Sequence, residues 1–121
     1  MMGIITTILA TLVALLHFYI AWLETFSTQS SATARAFAMT SEELKRPSVS
    51  TLFKNQGVYN GLLAVLILVA TWSSDLLWTR LLLGYIVLVA IYGSATSNPN
   101  IIVKQGLLPI LALICSFVFG L

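Results

Sequence analysis

The sequence predicts an all-α membrane protein, a bundle of four transmembrane helices with both termini on the non-cytoplasmic side and a long first cytoplasmic loop. Composition is the first observation: 59% of the 121 residues are hydrophobic and 8% are charged, whereas a soluble domain carries about 25% charged residues. Second, four segments meet the length of about 20 apolar residues that a bilayer core requires. Third, Lys and Arg are concentrated on one side of these segments, which predicts their orientation.

We predict one membrane domain, residues 1–121, with helices at about 3–26, 55–72, 76–96 and 99–121. Residues 27–54 form the predicted cytoplasmic loop. We expect Ser74 and Asp75 to cap the third helix, and Asn98 with Pro99 to begin the fourth. The first segment has neither a basic region before it nor a small-residue cleavage site after it, so we interpret it as a retained helix.

The six basic residues predict the orientation of the bundle. Four of them are in the first loop, at Arg35, Lys45, Arg46 and Lys54. Lys104 flanks the third loop, and Arg80 is the basic residue on the opposite side. Because short cytoplasmic loops are enriched in Lys and Arg, loops one and three are predicted to be cytoplasmic.

The first loop contains signals for short helices. Thr40 and Glu43 have the spacing of a capping box, and Pro47 restricts the segment that follows. Residues 32–39 could form another helix at the membrane surface. Two interpretations stay open, a solvated connector and a lid over a functional site.

One face of the first helix consists of small and polar residues. It is formed by Gly3, Thr7, Ala10, Ala14, His17, Ala21 and Glu24, spaced alternately by four and three. Small residues allow membrane helices to approach closely, so this stripe is predicted to face the bundle. His17 and Glu24 are therefore the candidate catalytic residues.

Polar side chains on the other helices are predicted to lie at a similar depth. The candidate ligand-binding residues are Gln56, Tyr59, Asn60, Tyr92 and Gln105. Gln56, Asn60 and Ala64 share a face at spacings of four. Since polar groups at membrane depth need partners, we predict a polar pocket that opens to the cytoplasmic side, with an apolar outer half as its seal.

Each candidate also has a structural interpretation. Glu24 could pair with Arg35 or Lys54 at the level of the lipid headgroups, and the amides could simply tie helices together. With one His and one Cys, we predict no metal site and no other cofactor. No nucleic-acid partner is expected, because the basic residues form no patch.

His17 and Glu24, followed by Asn55-Gln56-Gly57-x-Tyr59-Asn60-x-x-Leu63-Ala64, resemble a family of small bacterial four-helix membrane proteins known as a domain of unknown function. The resemblance implies a multi-pass protein of the bacterial inner membrane. A fainter similarity is to the membrane-associated eicosanoid and glutathione metabolism proteins. Gln56 and Asn60 match the spacing of two Asn in that group, and Tyr59 stands where the group usually has an acidic residue.

Two classes of function follow from these residues. In the first, a binding protein or an enzyme takes up a small amphipathic molecule from the cytoplasmic side, with Glu24 and His17 acting on it or orienting it. In the second, a proton-coupled transporter uses Glu24. A structural subunit of a larger membrane complex is a third interpretation. Four helices enclose little volume, so a homo-oligomer is expected.

Overall fold

The computed structural model describes residues 2–118, and this part of the chain is helical without strands. The helices are α1 (Ile4–Thr25), α2 (Ser31–Phe37), α3 (Ser41–Lys45), α4 (Pro47–Trp72), α5 (Leu76–Thr96), a π-helical turn (Ile102–Gly106) and α6 (Leu107–Val118). Helices α1, α4 and α5 are long and apolar enough to cross a membrane, whereas Ile102–Val118 is a shorter apolar helix. The all-α class and three long apolar helices are thus confirmed. The fourth crossing stays a prediction, and the end of the predicted helix 99–121 lies outside the described residues.

Two compact units make up the chain. One unit is His17–Leu63, which contains the end of α1, the short helices and the first part of α4. The other unit combines the residues up to Leu16 with those from Ala64 onward, and it contains α5 and α6. The candidate residues on α1 and in the first part of α4 therefore belong to a single unit.

Helix α1 buries the predicted small-residue face. Ala10, Ala14, His17 and Glu24 are buried. The large apolar residues of α1 are mostly exposed, namely Ile4, Ile5, Ile8, Leu12, Leu15, Phe18, Tyr19 and Trp22. In a soluble protein a helix buries its large apolar residues, whereas α1 buries small ones and exposes large ones. This arrangement agrees with helix packing through small residues.

Helix α4 begins at Pro47, so the predicted beginning near Asn55 is eight residues too late. Proline suits the first helical position, because its fixed φ is helical and the missing N–H would have no helical partner there. The prediction followed hydropathy, and the added residues 47–54 interrupt the apolar run, since Ser48, Ser50, Thr51 and Lys54 are polar. The predicted loop 27–54 is correspondingly shorter, since its last residues belong to α4.

The connector between α1 and α4, residues 26–46, is structured. Ser30 caps α2, and Thr40 caps α3 through the predicted capping box with Glu43. Thr33 and Leu44 are completely buried. The connector is therefore packed against the protein, in contrast to a fully solvated loop.

Helix α5 coincides with the predicted segment, and Asp75 accepts the backbone N–H of Trp78 at 3.1 Å. The Oδ1 atom of Asn98 accepts the N–H of Asn100, but the helical segment begins only at Ile102. The chain first forms a π turn because Pro109 cannot donate to the carbonyl of Gln105 and its ring crowds that carbonyl.

Candidate functional site

A buried carboxylate and an amide meet in the unit His17–Leu63. Asn60 Nδ2 donates a hydrogen bond to Glu24 Oε1 at 2.6 Å. Glu24 is only 3% exposed, and Asn60 is half-buried. The bond joins α1 to α4, which are 36 residues apart at this point. The prediction that these polar side chains lie close together is borne out for Glu24 and Asn60.

Glycines on α4 allow this contact. A Cβ atom added to Gly57 would overlap Thr25 Oγ1 and would lie 3.0 Å from the carbonyl oxygen of Ala21. A Cβ on Gly61 would come within 3.6 Å of Ala21 Cβ. The two helices therefore approach through small residues, as membrane helices commonly do. The pattern Gly-x-x-x-Gly was present in the sequence and was the signal that could have identified this face.

The connector closes over the end of α1 that carries Glu24. Thr28 Oγ1 donates to the backbone carbonyl of Glu24 at 2.6 Å. Thr33 Oγ1 contacts the carbonyl oxygens of Ser27 at 2.6 Å and Leu23 at 3.1 Å. The bonds to Glu24 and Leu23 satisfy carbonyls in the last turn of α1, which the helix end leaves without a helical partner. The last turn of α1, and Glu24 with it, is thereby held in place.

Aromatic packing fixes the other end of the connector. The rings of Phe37 in α2 and Phe53 in α4 pack edge to face, with centroids 5.1 Å apart. Such pairs stabilise a contact beyond the area that they bury. Because α2 is attached to both long helices in this way, the connector has a defined position beside the Glu24–Asn60 pair.

His17 lies in the same unit and is 3% exposed. It precedes Glu24 by seven residues on the buried face of α1, which corresponds to about 10.5 Å along the helix. The two side chains therefore do not form a direct acid–base pair. Within the described residues 2–118, no three His, Cys, Asp or Glu side chains are grouped as metal ligands would be.

The other predicted ligand-binding residues are differently placed. Gln56 is exposed and Tyr59 is 76% exposed. The buried side of α4 passes instead through Gly57 and Ala64, because glycine and alanine permit a closer approach than glutamine. Gln56 is therefore not buried with Ala64, and the roles of Gln56 and Tyr59 as ligand-binding residues stay a prediction.

Tyr92 and Gln105 belong to the second unit. Tyr92 is exposed on α5, and Gln105 is half-buried in the π turn. Their role as ligand-binding residues stays a prediction.

The surroundings of Glu24 differ from the interpretation in which it pairs with a cation of the first loop. Arg35 and Lys54, the cations considered as its partners, are exposed, while Glu24 is buried. Its bond comes from a neutral amide. An ionised carboxylate has two oxygens and only accepts hydrogen bonds, so this group is suited to receive a donor from a bound molecule.

Sequence analysis missed a second polar cluster, in the other unit. Arg80 Nε donates to Ser116 Oγ at 3.1 Å, and Arg80 Nη2 donates to the Ser116 carbonyl at 2.7 Å. The guanidinium also lies 3.9 Å from the centre of the Phe117 ring. The signal was a single Arg within an apolar helix, which requires partners at membrane depth.

Comparison with known proteins identifies relatives without an assigned activity. The family described as "Protein of unknown function (DUF1304)" matches residues 11–117. The chain is also 58% identical, over 118 residues, to the "Uncharacterized protein YpaA" of Lactococcus lactis subsp. lactis (strain IL1403). That match covers 96% of this chain and 99% of the relative. No solved structure matches. The resemblance to a domain of unknown function is confirmed, and the similarity to the eicosanoid and glutathione metabolism proteins stays a prediction.

Proposed function

The chain belongs to the DUF1304 family, and we propose that it is a small multi-pass membrane protein that binds the polar head of an amphipathic molecule at Glu24 and Asn60. In this proposal the bundle crosses the membrane four times, with both termini outside. The binding site opens to the cytoplasmic side, and the protein assembles as a homo-oligomer.

The outward surface of the long helices supports the membrane location. Exposed apolar residues of α4 and α5 include Leu62, Leu66, Val69, Leu81 and Leu88. Exposure of these apolar side chains to water is unfavourable, whereas their exposure to lipid chains is not. The segment Ile102–Val118 is about 25 Å long at the α-helical rise, close to the bilayer core of about 30 Å. It is a reasonable fourth crossing.

The hydrogen bond between Glu24 and Asn60 is the observation that carries the proposal. A buried carboxylate without partners is disfavoured, so natural proteins keep one at membrane depth mainly for a function. Asn60 orients Glu24 but provides only one of the hydrogen bonds that a carboxylate can accept. A ligand head that donates hydrogen bonds, above all an ammonium group, would complete the set.

In this proposal the residues around Glu24 and Asn60 have secondary roles in ligand binding. Gln56 and Tyr59 lie at the exposed edge of the same segment of α4, where they can contact a molecule that arrives along the helix surface. The connector covers the end of α1, so its displacement would admit the ligand from the cytoplasmic side. The apolar tail would lie against the exposed aliphatic side chains of the long helices.

Equilibrium binding to the protein in lipid nanodiscs tests the proposal. The probes are radiolabelled dodecylamine, dodecanol and dodecanoic acid, which share a chain and differ in the head. Empty nanodiscs provide the partitioning background. We expect saturable binding of the amine, weaker binding of the alcohol and none of the acid.

Variants connect that binding to the site. Glu24→Gln keeps the shape of the side chain and removes its charge, so we expect it to weaken dodecylamine binding by about tenfold. Glu42→Gln, at an exposed position in α3, is the matched control and should bind like the wild type. Equal affinity of the Glu24→Gln variant and the wild type would overturn the proposal.

Proton-coupled transport is the second candidate, favoured by the burial of an ionisable group in α1. In proteoliposomes with an imposed pH gradient, a transporter would accumulate dodecylamine above its passive distribution, and Glu24→Gln would abolish this. A binding protein would show saturable binding without accumulation. Chemical conversion of a probe in detergent, where there is no gradient, would instead indicate an enzyme.

A further inference from the structure

Three threonine hydroxyls are buried without a hydrogen-bond partner in the unit that contains α5 and α6. They belong to Thr6, Thr71 and Thr79, which are 1%, 2% and 0% exposed. Buried hydroxyl groups are rarely unpaired, because they lose their bonds to water without replacement. A group of three therefore requires an explanation.

These three side chains depart from the ordinary behaviour of threonine and serine in helices. The usual solution is a bond to the carbonyl four residues earlier, which is made by Thr7, Thr11, Thr28, Ser73 and Thr96. Thr6, Thr71 and Thr79 do not make it. Their hydroxyl oxygens are buried nonetheless.

The direction of the chain places the three residues at one end of their helices. Thr71 is in the last turn of α4 and Thr79 is in the first turn of α5, with a short turn at 73–75 between them. Thr6 is in the first turn of α1. Because α1 and α4 run antiparallel, as the contacts of Ala21 with Gly61 and of Thr25 with Gly57 show, the start of α1 lies at the same end as the last turn of α4.

The surroundings of these hydroxyls are neutral and apolar. The buried residues nearest to them along the chain are apolar: Met2 before α1, Ile67 and Ala70 in α4, and Leu83 in α5. Arg80 follows Thr79, but its guanidinium is engaged by Ser116 and Phe117. Asp75 is exposed and caps α5. A metal cation would find no buried carboxylate in this set, whereas a neutral molecule that both donates and accepts would be satisfied.

We propose that Thr6, Thr71 and Thr79 together bind one buried water molecule. Each hydroxyl can donate one hydrogen bond and accept up to two, and a buried water typically makes about three hydrogen bonds. The end of the bundle that the sequence predicts to be an apolar seal would then contain a hydrated position. This proposal is independent of the ligand proposed for Glu24 and Asn60.

Solid-state NMR of the protein in lipid bilayers tests the site directly. Magnetisation transferred from water should reach the side chains of all three threonines, although they are buried. Thr79→Val keeps the shape of the side chain but removes one partner, so the transfer to Thr6 and Thr71 should fall to background. If Thr79→Val does not fold, Thr71→Val serves for the same measurement on the remaining pair.

Thr11→Val is the matched control, since the hydroxyl of Thr11 donates to the carbonyl of Thr7 at 2.7 Å. It should leave the transfer to the three threonines unchanged. Thermal unfolding gives a second measurement: loss of a water ligand lowers the melting temperature, whereas removal of an unpaired hydroxyl raises it. Background transfer in the wild type, together with a raised melting temperature for Thr79→Val, would overturn the proposal.

Discussion

Glu24 and Arg80 are both ionisable residues in long apolar helices, but they differ in burial and in their hydrogen-bond partners. Glu24 is buried and accepts its hydrogen bond from one neutral amide. Arg80 is half-buried, and its guanidinium is held by a hydroxyl, a carbonyl and an aromatic ring. Arginine stays charged under all ordinary conditions, whereas a carboxyl group can gain or lose a proton.

Because of this difference, we interpret Arg80 as a structural contact between helices and Glu24 as a candidate ligand-binding residue. The contacts of Arg80 fix α5 to the last turns of α6 and use the planar fork of its guanidinium. Glu24 retains acceptor capacity beyond the bond from Asn60. Of the two residues, Glu24 is therefore the one that we expect to interact with a ligand, and the predictions below test the basis of this distinction.

The largest effect is expected from Gly57, which sets the distance between α1 and α4 at the Glu24–Asn60 pair. Gly57→Ala should lower the free energy of unfolding by about 3 kcal/mol, because the new Cβ meets backbone atoms of α1. SDS titration in mixed micelles measures this change. Gly84→Ala is the control, since its added Cβ would lie in open space beside the helix. Equal stabilities of the two variants would contradict the close packing.

Removal of the amide from Asn60 should have the next largest effect. Asn60→Leu leaves the buried Glu24 carboxylate without its donor and should cost about 2 kcal/mol in the same titration. In the double variant with Glu24→Gln the cost should be smaller, because the charge that needed the donor is gone. Strictly additive effects of the two substitutions would indicate that the bond contributes nothing.

Arg80→Lys tests the second residue of the comparison, which we interpret as a structural contact between α5 and α6. Lysine keeps the charge but loses the planar fork and much of the ring contact, so we expect a cost of about 1 kcal/mol in unfolding. Binding of dodecylamine should be unchanged. A strong loss of binding, with stability preserved, would mean that Arg80 has more than an anchoring role.

The smallest effect concerns Glu43, an exposed acid outside the long apolar helices. The backbone N–H and the hydroxyl of Thr40 donate to its carboxylate and lower the pKa of Glu43. Its contribution to stability is therefore present above the ordinary pKa of a glutamate and is lost as the pH falls through the lowered value. NMR titration of the Glu43 carboxyl should show this, with Thr40→Ala raising the pKa and Ser41→Ala leaving it in place.

Local rules explain which helices could be predicted from the sequence. Helix α5 follows from a long apolar run that Asp75 precedes, and the capping box of Thr40 and Glu43 depends on residues three apart. The start of α4 could not be read from hydropathy, because polar residues after Pro47 extend the helix beyond its apolar part. Proline at a first turn was the better signal.

The candidate site was predictable only in part, for a physical reason. Polar side chains need partners at membrane depth, and this rule selected Glu24 and Asn60, which the structure joins by a hydrogen bond. The same rule selected Gln56 and Tyr59, which are exposed. Side-chain polarity does not determine which face of a helix packs, since close backbone approach at Gly57 decides the orientation of α4.

The π turn at Ile102–Gly106 has a consequence for the tolerance of the chain to deletions. A π turn contains more residues than an α turn, so removing Val103 could convert it to α-helix without changing the side of α6 that faces α5. That side contains the buried residues Pro109, Ala112 and Ser116. Deleting Leu113 would rotate Ser116 by about 100° around the axis and take it away from Arg80. Removal of one residue should therefore be harmless within the π turn and damaging within α6 after Pro109.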